Sequence, residues 1–152
     1  MARVDAVKAQ TLGRVLLGSF MVGAGVLHLT AQRQEFQAQV PDWFPLDEDL
    51  TVVGSGVVEI SLGAAFVALP KHRRTVGALL AAFFVAIFPG NIAQYVEGTD
   101  AFGLDTDRAR FIRLFFQPVL VLAALWGGGW LSRRSEARRD EELATEEVDT
   151  GE

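Results

Sequence analysis

Glu59 stands midway along Thr51–Leu69, a run of nineteen residues with no other charge. An ionised side chain at the centre of a bilayer-spanning helix costs about 2.5–3.5 kcal/mol on insertion scales. Such a group needs a partner or a purpose. Arg113 is the one basic residue lying inside an apolar run beyond its edge. A guanidinium grips a carboxylate through two parallel hydrogen bonds, so residue type and placement predict a Glu59–Arg113 pair. Gln117, four residues on, shares the Arg113 helix face and can complete the hydrogen bonding. His28 adds an imidazole that titrates near neutrality, and Asn91 and Gln94 add amides. The six residues His28, Glu59, Asn91, Gln94, Arg113 and Gln117 are therefore the candidate ligand-binding or proton-linked set. Two roles stand open for the charged pair: service to a ligand or proton, or fixing helix register. No metal site is expected, because His28 and Glu59 are the only good ligands in the set and zinc takes three or four. His72 lies in a basic connection and is assigned no role. No residue can be named as catalytic, and the sequence does not decide whether the chain is an enzyme.

Four apolar runs must position these groups: about 12–29, 51–69, 75–95 and 111–131. Each has roughly 18–21 residues, enough at about 1.5 Å per residue to cross a hydrocarbon core of about 30 Å. Half of the 152 residues are hydrophobic and the mean hydropathy is +0.25. The expected fold is all-α, an integral membrane four-helix bundle over residues 1–131, in a multi-pass protein of the cell membrane. The first run is longer than the apolar core of a signal peptide, and no clear small-x-small cleavage site follows Leu29. Residues 132–152 carry eight acidic and four basic side chains and read as a charged, disordered cytoplasmic tail. Most of the acidic excess behind the net charge of −5 lies in that tail. The chain has no cysteine, which removes thiolate, disulfide and Cys–metal chemistry. Nothing supports nucleic-acid binding.

Ten of the fourteen Lys and Arg residues flank one side of the expected bundle: Arg3, Lys8, Arg14, Lys71, Arg73, Arg74 and four arginines after the last run. The positive-inside rule puts both termini in the cytoplasm. All six candidates then fall in the outer half, with Glu59 about 12 Å below the outer boundary at 1.5 Å per residue. Nothing comparable is expected in the inner half. Gly18, Met21, Gly25 and His28 on the first run, and Ser55, Glu59 and Gly63 on the second, follow helical spacing and predict close helix approach. Pro89 and Pro118 free carbonyls at about Val85 and Leu114. Trp126 and Trp130 at the inner end, and Trp43 and Tyr95 at the outer, fit interfacial belts. The first outer loop, Val40-Pro41-Asp42-Trp43-Phe44-Pro45, reads either as an interfacial anchor or as a lid.

The ordered pieces Gly25-Val-Leu-His28, Val40-Pro41 with Pro45, Ser55-Gly-Val-Val-Glu59-Ile-Ser-Leu-Gly63, Pro89-Gly-Asn91-Ile and Arg113-Leu-Phe-Phe-Gln117, followed by Trp126, resemble the DoxX-like family of small four-helix membrane proteins. The resemblance covers about residues 12–131. It departs at Gly90, where the family often has Ala, and at Phe115-Phe116, which moves the helix-four proline to position 118. It implies the same four-helix topology and an association with respiratory or redox enzymes, some relatives being membrane subunits of a thiosulfate:quinone oxidoreductase. No flavin, haem or metal motif is present, so any electron carrier would be a bound quinone or belong to a partner. Three readings follow. The chain is a redox-linked membrane subunit with an outer-half pocket for a quinone-like or other small ligand; or a carrier or sensor for a small solute or proton; or an assembly protein whose Glu–Arg layer only locks the bundle. The partners expected are the lipid bilayer and a redox-enzyme subunit, with a homo-oligomer as a further option.

Overall fold

The computed structural model describes residues 2–131, with side chains from Val4 onward. The expected tail, 132–152, lies outside the described residues. Six α-helices follow in order: α1 (Ala2–Leu29), α2 (Arg33–Gln37), α3 (Glu48–Ala68), α4 (Arg73–Glu97), α5 (Asp107–Leu114) and α6 (Phe116–Gly127). No strand occurs among them. Four segments are long and apolar enough to cross a membrane: Val4–Leu29, Glu48–Ala68, Pro70–Glu97 and Asp107–Gly127.

Local chemistry sets the boundaries. Asp47 caps α3 by accepting the Leu50 N–H at 3.1 Å, with Glu48 and Asp49 in the first turn where the helix dipole favours acids. Gly98 ends α4 in the left-handed conformation, φ +68°, that a glycine adopts without a Cβ clash. Thr106 caps α5 through the Ala109 N–H. The expected single helix over 111–131 is two helices broken at Phe115. Pro118 has no N–H to offer the Leu114 carbonyl, so the helix stops there and restarts at Phe116. The helices also begin earlier than hydropathy alone suggests, because polar first turns (Glu48-Asp49, Asp107-Arg108) are helical but not apolar.

The α1 and α3 helices run antiparallel in close contact, Gly18 facing Gly63 and Gly25 facing Gly56. A Cβ added at Gly63 would meet the Gly18 carbonyl oxygen at 2.6 Å, and one at Gly25 would meet that of Gly56 at 2.6 Å. Only glycine permits this approach, which is how small residues bring helices together where lipid supplies no hydrophobic drive. The α4 and α6 helices pack in the same sense, Gly77 against the Ala124 carbonyl. The core between them is Leu17, Met21, Phe66, Val76, Leu80, Ala81, Phe84 and Ala124. The outer faces are as apolar as the core: Leu12, Leu16, Phe20, Leu79, Val85, Val119 and Leu122 all point outward. Gln10, Arg14, His28, Glu59, Asn91, Gln94, Arg110 and Gln117 are buried. Monomeric soluble proteins rarely expose apolar patches beyond a few hundred Å², and this distribution accords with four helices long and apolar enough to cross a membrane.

Candidate functional site

The carboxyl of Glu59, 4 % exposed, faces α1 rather than α5. Its Oε2 lies 3.2 Å from His28 Nδ1. The close approach of Gly25 to Gly56 sets His28 on α1 beside the Glu59 face of α3. The same Nδ1 is 2.9 Å from the Ala24 carbonyl oxygen, one turn back. Two acceptors flank this nitrogen, so it carries the proton, and in the neutral ring Nε2 keeps a lone pair. The hydrogen of Nδ1 goes to Ala24, and Glu59 Oε2 makes no hydrogen bond among the described residues.

The expected Glu59–Arg113 pair is not formed. Arg113 makes no ion pair or hydrogen bond among the described residues, and its Nε is buried without a partner. Its guanidinium instead lies over the Phe102 ring, 5.1 Å from the centroid. Two loop aromatics fill the space the sequence reading gave to a salt bridge. Phe36, from α2, stacks on the His28 imidazole with centroids 3.3 Å apart and planes 18° apart. Phe102 meets Phe36 edge-on at 4.7 Å. The result is a column, Glu59–His28–Phe36–Phe102–Arg113, with an unmatched polar atom at each end.

The other candidates fall into separate groups. Asn91 donates to the Gln117 side-chain oxygen at 3.0 Å, and Gln117 donates to the Phe84 carbonyl at 2.6 Å. Gln117 thus reaches the carbonyl next to the one that Pro89 frees at Val85. Gln94 accepts from Gln39 at 2.7 Å and donates to the Thr99 carbonyl at 3.3 Å, tying α4 to both neighbouring loops. In the first loop Trp43 points outward, 66 % exposed, and Pro41 is buried. The ring that covers the polar layer is Phe36, upstream of the segment the sequence singles out.

Several polar residues were missed. Arg14 counted only as a basic flank, yet it is buried and donates to the Phe66 and Val67 carbonyls, the latter at 2.9 Å. Gln10 donates to the Trp126 carbonyl at 2.6 Å. The end of the bundle away from α2 therefore has a polar layer of its own, contrary to expectation. It serves backbone carbonyls at helix C-termini, which have no intrahelical donors. Arg110, one turn before Arg113, is buried and holds Asp100 at 2.6 Å, Asp107 at 2.7 Å and the Leu104 carbonyl at 2.9 Å. At the loop edge Arg33 Nε donates to Asp49 at 2.6 Å, which lifts the guanidinium further above its ordinary pKa, and Gln37 donates to the same carboxylate at 2.8 Å. No cluster able to hold a metal ion occurs among the described residues.

Fold and site together define a helical bundle with four helices able to cross a membrane and a polar, aromatic-capped layer inside one end. The chain belongs to the family described as Domain of unknown function (DUF8561), which matches residues 17–127. Comparison with curated proteins and with solved structures finds no match in either. The matched span runs from the first glycine of the α1–α3 contact through to the end of α6 and includes every residue of the column.

Proposed function

We propose that the protein is a multi-pass cell-membrane protein whose outer-half polar layer binds a planar, oxygen-bearing ring of the quinone class, as a membrane subunit of a redox-linked system. One observation carries this reading. Glu59 Oε2, Arg113 Nε and Arg110 Nε are the buried side-chain polar atoms without hydrogen-bond partners among the described residues, and a column of rings, one pair stacked and one edge-on, joins the first two. A ring with oxygens on its rim suits such a column. Its faces pack against aromatics, a rim oxygen accepts from the Arg113 guanidinium, and the His28–Glu59 pair lies beyond the Phe36 ring, where it exchanges protons with a reduced ring through water. Glu59, beside His28, is placed to take or return a proton when the ring changes oxidation state. The electrons come from a partner, since the chain offers no redox side chain or cofactor motif of its own.

Orientation follows the basic residues. Both termini, the Lys71–Arg74 connection and the arginines after α6 lie in the cytoplasm, and α2 with the Ala101–Leu104 turn caps the outer face. The resemblance to DoxX-like proteins agrees with a redox partner; the family now shown carries no activity in its description.

Purified protein in native-lipid discs tests the reading. Extraction should recover quinone in stoichiometric amount, or a water-soluble benzoquinone should bind the emptied protein saturably. Glu59→Gln and Arg113→Gln should each weaken that binding at least about tenfold, the equivalent of one lost hydrogen bond to a charged group at about 1.5 kcal/mol. Wild-type protein that neither carries nor binds a quinone would sink the proposal. Binding indifferent to both variants would leave the layer as a lock between helices.

A further inference from the structure

The column is closed by two segments that are held very differently. The α2 helix, which supplies Phe36, is pinned from both sides: Arg33 and Gln37 grip Asp49 on α3, and Gln39 donates to Gln94 on α4. A Cβ at Gly90 would meet the Gln39 carbonyl at 2.8 Å, so the chain beyond α2 also lies hard against α4. Phe102 sits at the tip of a turn whose flanks the buried Arg110 holds, at Asp100 and at the Leu104 carbonyl, while the tip itself has one hydrogen bond to the rest of the described residues. Its N–H donates to the Glu35 carboxylate at 2.5 Å, and that bond is exposed.

Phe102 has φ +56°, the one non-glycine residue with positive φ among the described residues, and Gly103 follows at +68°. A bulky L-residue in the left-handed region is strained and persists only where its surroundings hold it there. Here the holding groups are Glu35, the Phe36 ring and the Arg113 guanidinium. Ala101, its neighbour, is 4 % exposed beneath the turn. Gly98, also at positive φ, lies at the end of α4 where the turn departs.

We infer that the Ala101–Leu104 turn is a gate latched by Glu35, and that Phe102 is the chain's own stand-in for the ligand ring. When Glu35 releases the Phe102 N–H, the strained tip relaxes outward between Asp100 and Leu104, which Arg110 keeps in place, with Gly103 as the pivot. That vacates a slot floored by the Phe36 ring and roofed by the Arg113 guanidinium. The ring of the bound molecule takes that slot, and Phe36 stays, fixed by its helix. The proposal rests on the quinone-class reading for the identity of the ring, but not for the gate.

The experiment separates the two. The chain has no cysteine, so Ala101→Cys places a single thiol under the turn. Its maleimide labelling rate in lipid discs reads gate opening with no ligand present. Adding Glu35→Ala should speed labelling at least about fivefold, and an unchanged rate overturns the gate. Phe102→Gly suits positive φ and empties the slot. It should tighten binding of a water-soluble benzoquinone about fivefold or more, with helix content by circular dichroism unchanged. A Phe102→Gly protein that stays folded and binds the benzoquinone no better overturns the stand-in. If wild-type protein binds no benzoquinone while Glu35→Ala still speeds labelling, the ring's identity fails and the gate stands.

Discussion

Gly25→Ala probes the contact that sets His28 against Glu59. A Cβ at position 25 would stand 2.6 Å from the Gly56 carbonyl oxygen and 2.7 Å from Ile60 Cγ1, where ordinary contact begins at 3.4 Å. The carbonyl is backbone and cannot swing aside, so α1 must back away from α3 by most of an ångström. A gap of about 0.5–1 Å forfeits a quarter to a half of each dispersion well it opens, and overpacking of this kind costs about 1–3 kcal/mol. Alanine returns about 0.5–1 kcal/mol of helix propensity. The net expectation is a loss of about 0.5–2 kcal/mol, with His28 carried off Glu59 and ligand binding lost alongside. Gly23 supplies the control on the same helix. Nothing lies within 4 Å of a Cβ there, so Gly23→Ala should match or exceed wild-type stability by up to about 1 kcal/mol. Unfolding titrations in mixed detergent–SDS micelles, followed by far-ultraviolet circular dichroism, give both values. Equal midpoints for the two variants would refute the claim that α1 and α3 meet through bare backbone.

Other perturbations follow from the same contacts. Arg14→Leu leaves the Phe66 and Val67 carbonyls without their donor and should lower stability by about 1.5–3 kcal/mol in the same titration, with Arg14→Lys recovering part of it. Asn91→Leu or Gln117→Leu alone strands the other amide at about 1–3 kcal/mol; the double variant should cost less than the two singles together, and strict additivity would show that the bond contributes nothing. Asp47→Ala removes the cap on Leu50 and should cost about 0.5–2 kcal/mol, seen as a lower midpoint with the far-ultraviolet spectrum otherwise retained.

The four long helices were legible because a bilayer demands one thing of sequence, about twenty apolar residues in a row, and each run supplies it. The glycine face was legible in part: Gly18, Gly25 and Gly63 recur at helical spacing, while Gly56, beside the Ser55 of the expected stripe, is the residue that meets Gly25. Arg14 was not. A basic residue near a helix end reads as a topological flank, and only the fold shows that the last turn of α3 brings two bare carbonyls within its reach. The Glu59–Arg113 pairing failed for a related reason. Counting buried charges assumes that they must meet, yet Phe36 and Phe102 come from connections whose path no periodicity encodes. Their ring character was visible; their place between the charges was not. The break at Phe115 could have been read from Pro118, since the missing N–H falls one turn after Leu114.

The difference between a lock and a site lies in what is left unmatched. Arg14 and Arg110 are buried bases with ordinary structural duties. Arg14 reaches two carbonyls, and Arg110 holds two carboxylates and a carbonyl with its Nε alone left unmatched. Asn91 and Gln117 likewise spend their amides on each other and on backbone. A layer meant only to fix helix register would be finished in this way, because a half-satisfied polar group in low dielectric destabilises the fold it is supposed to hold. Glu59 and Arg113 are not finished. Each keeps a buried polar atom unanswered: Arg113 lies over the Phe102 ring with no hydrogen bond or ion pair among the described residues, and Glu59 has only the His28 imidazole at 3.2 Å. The same chain that answers the Phe66, Val67 and Trp126 carbonyls at one end of the bundle leaves its acid and its free base apart at the other. A ring with acceptors on its rim resolves that contrast. A second salt-bridge layer would have removed it altogether.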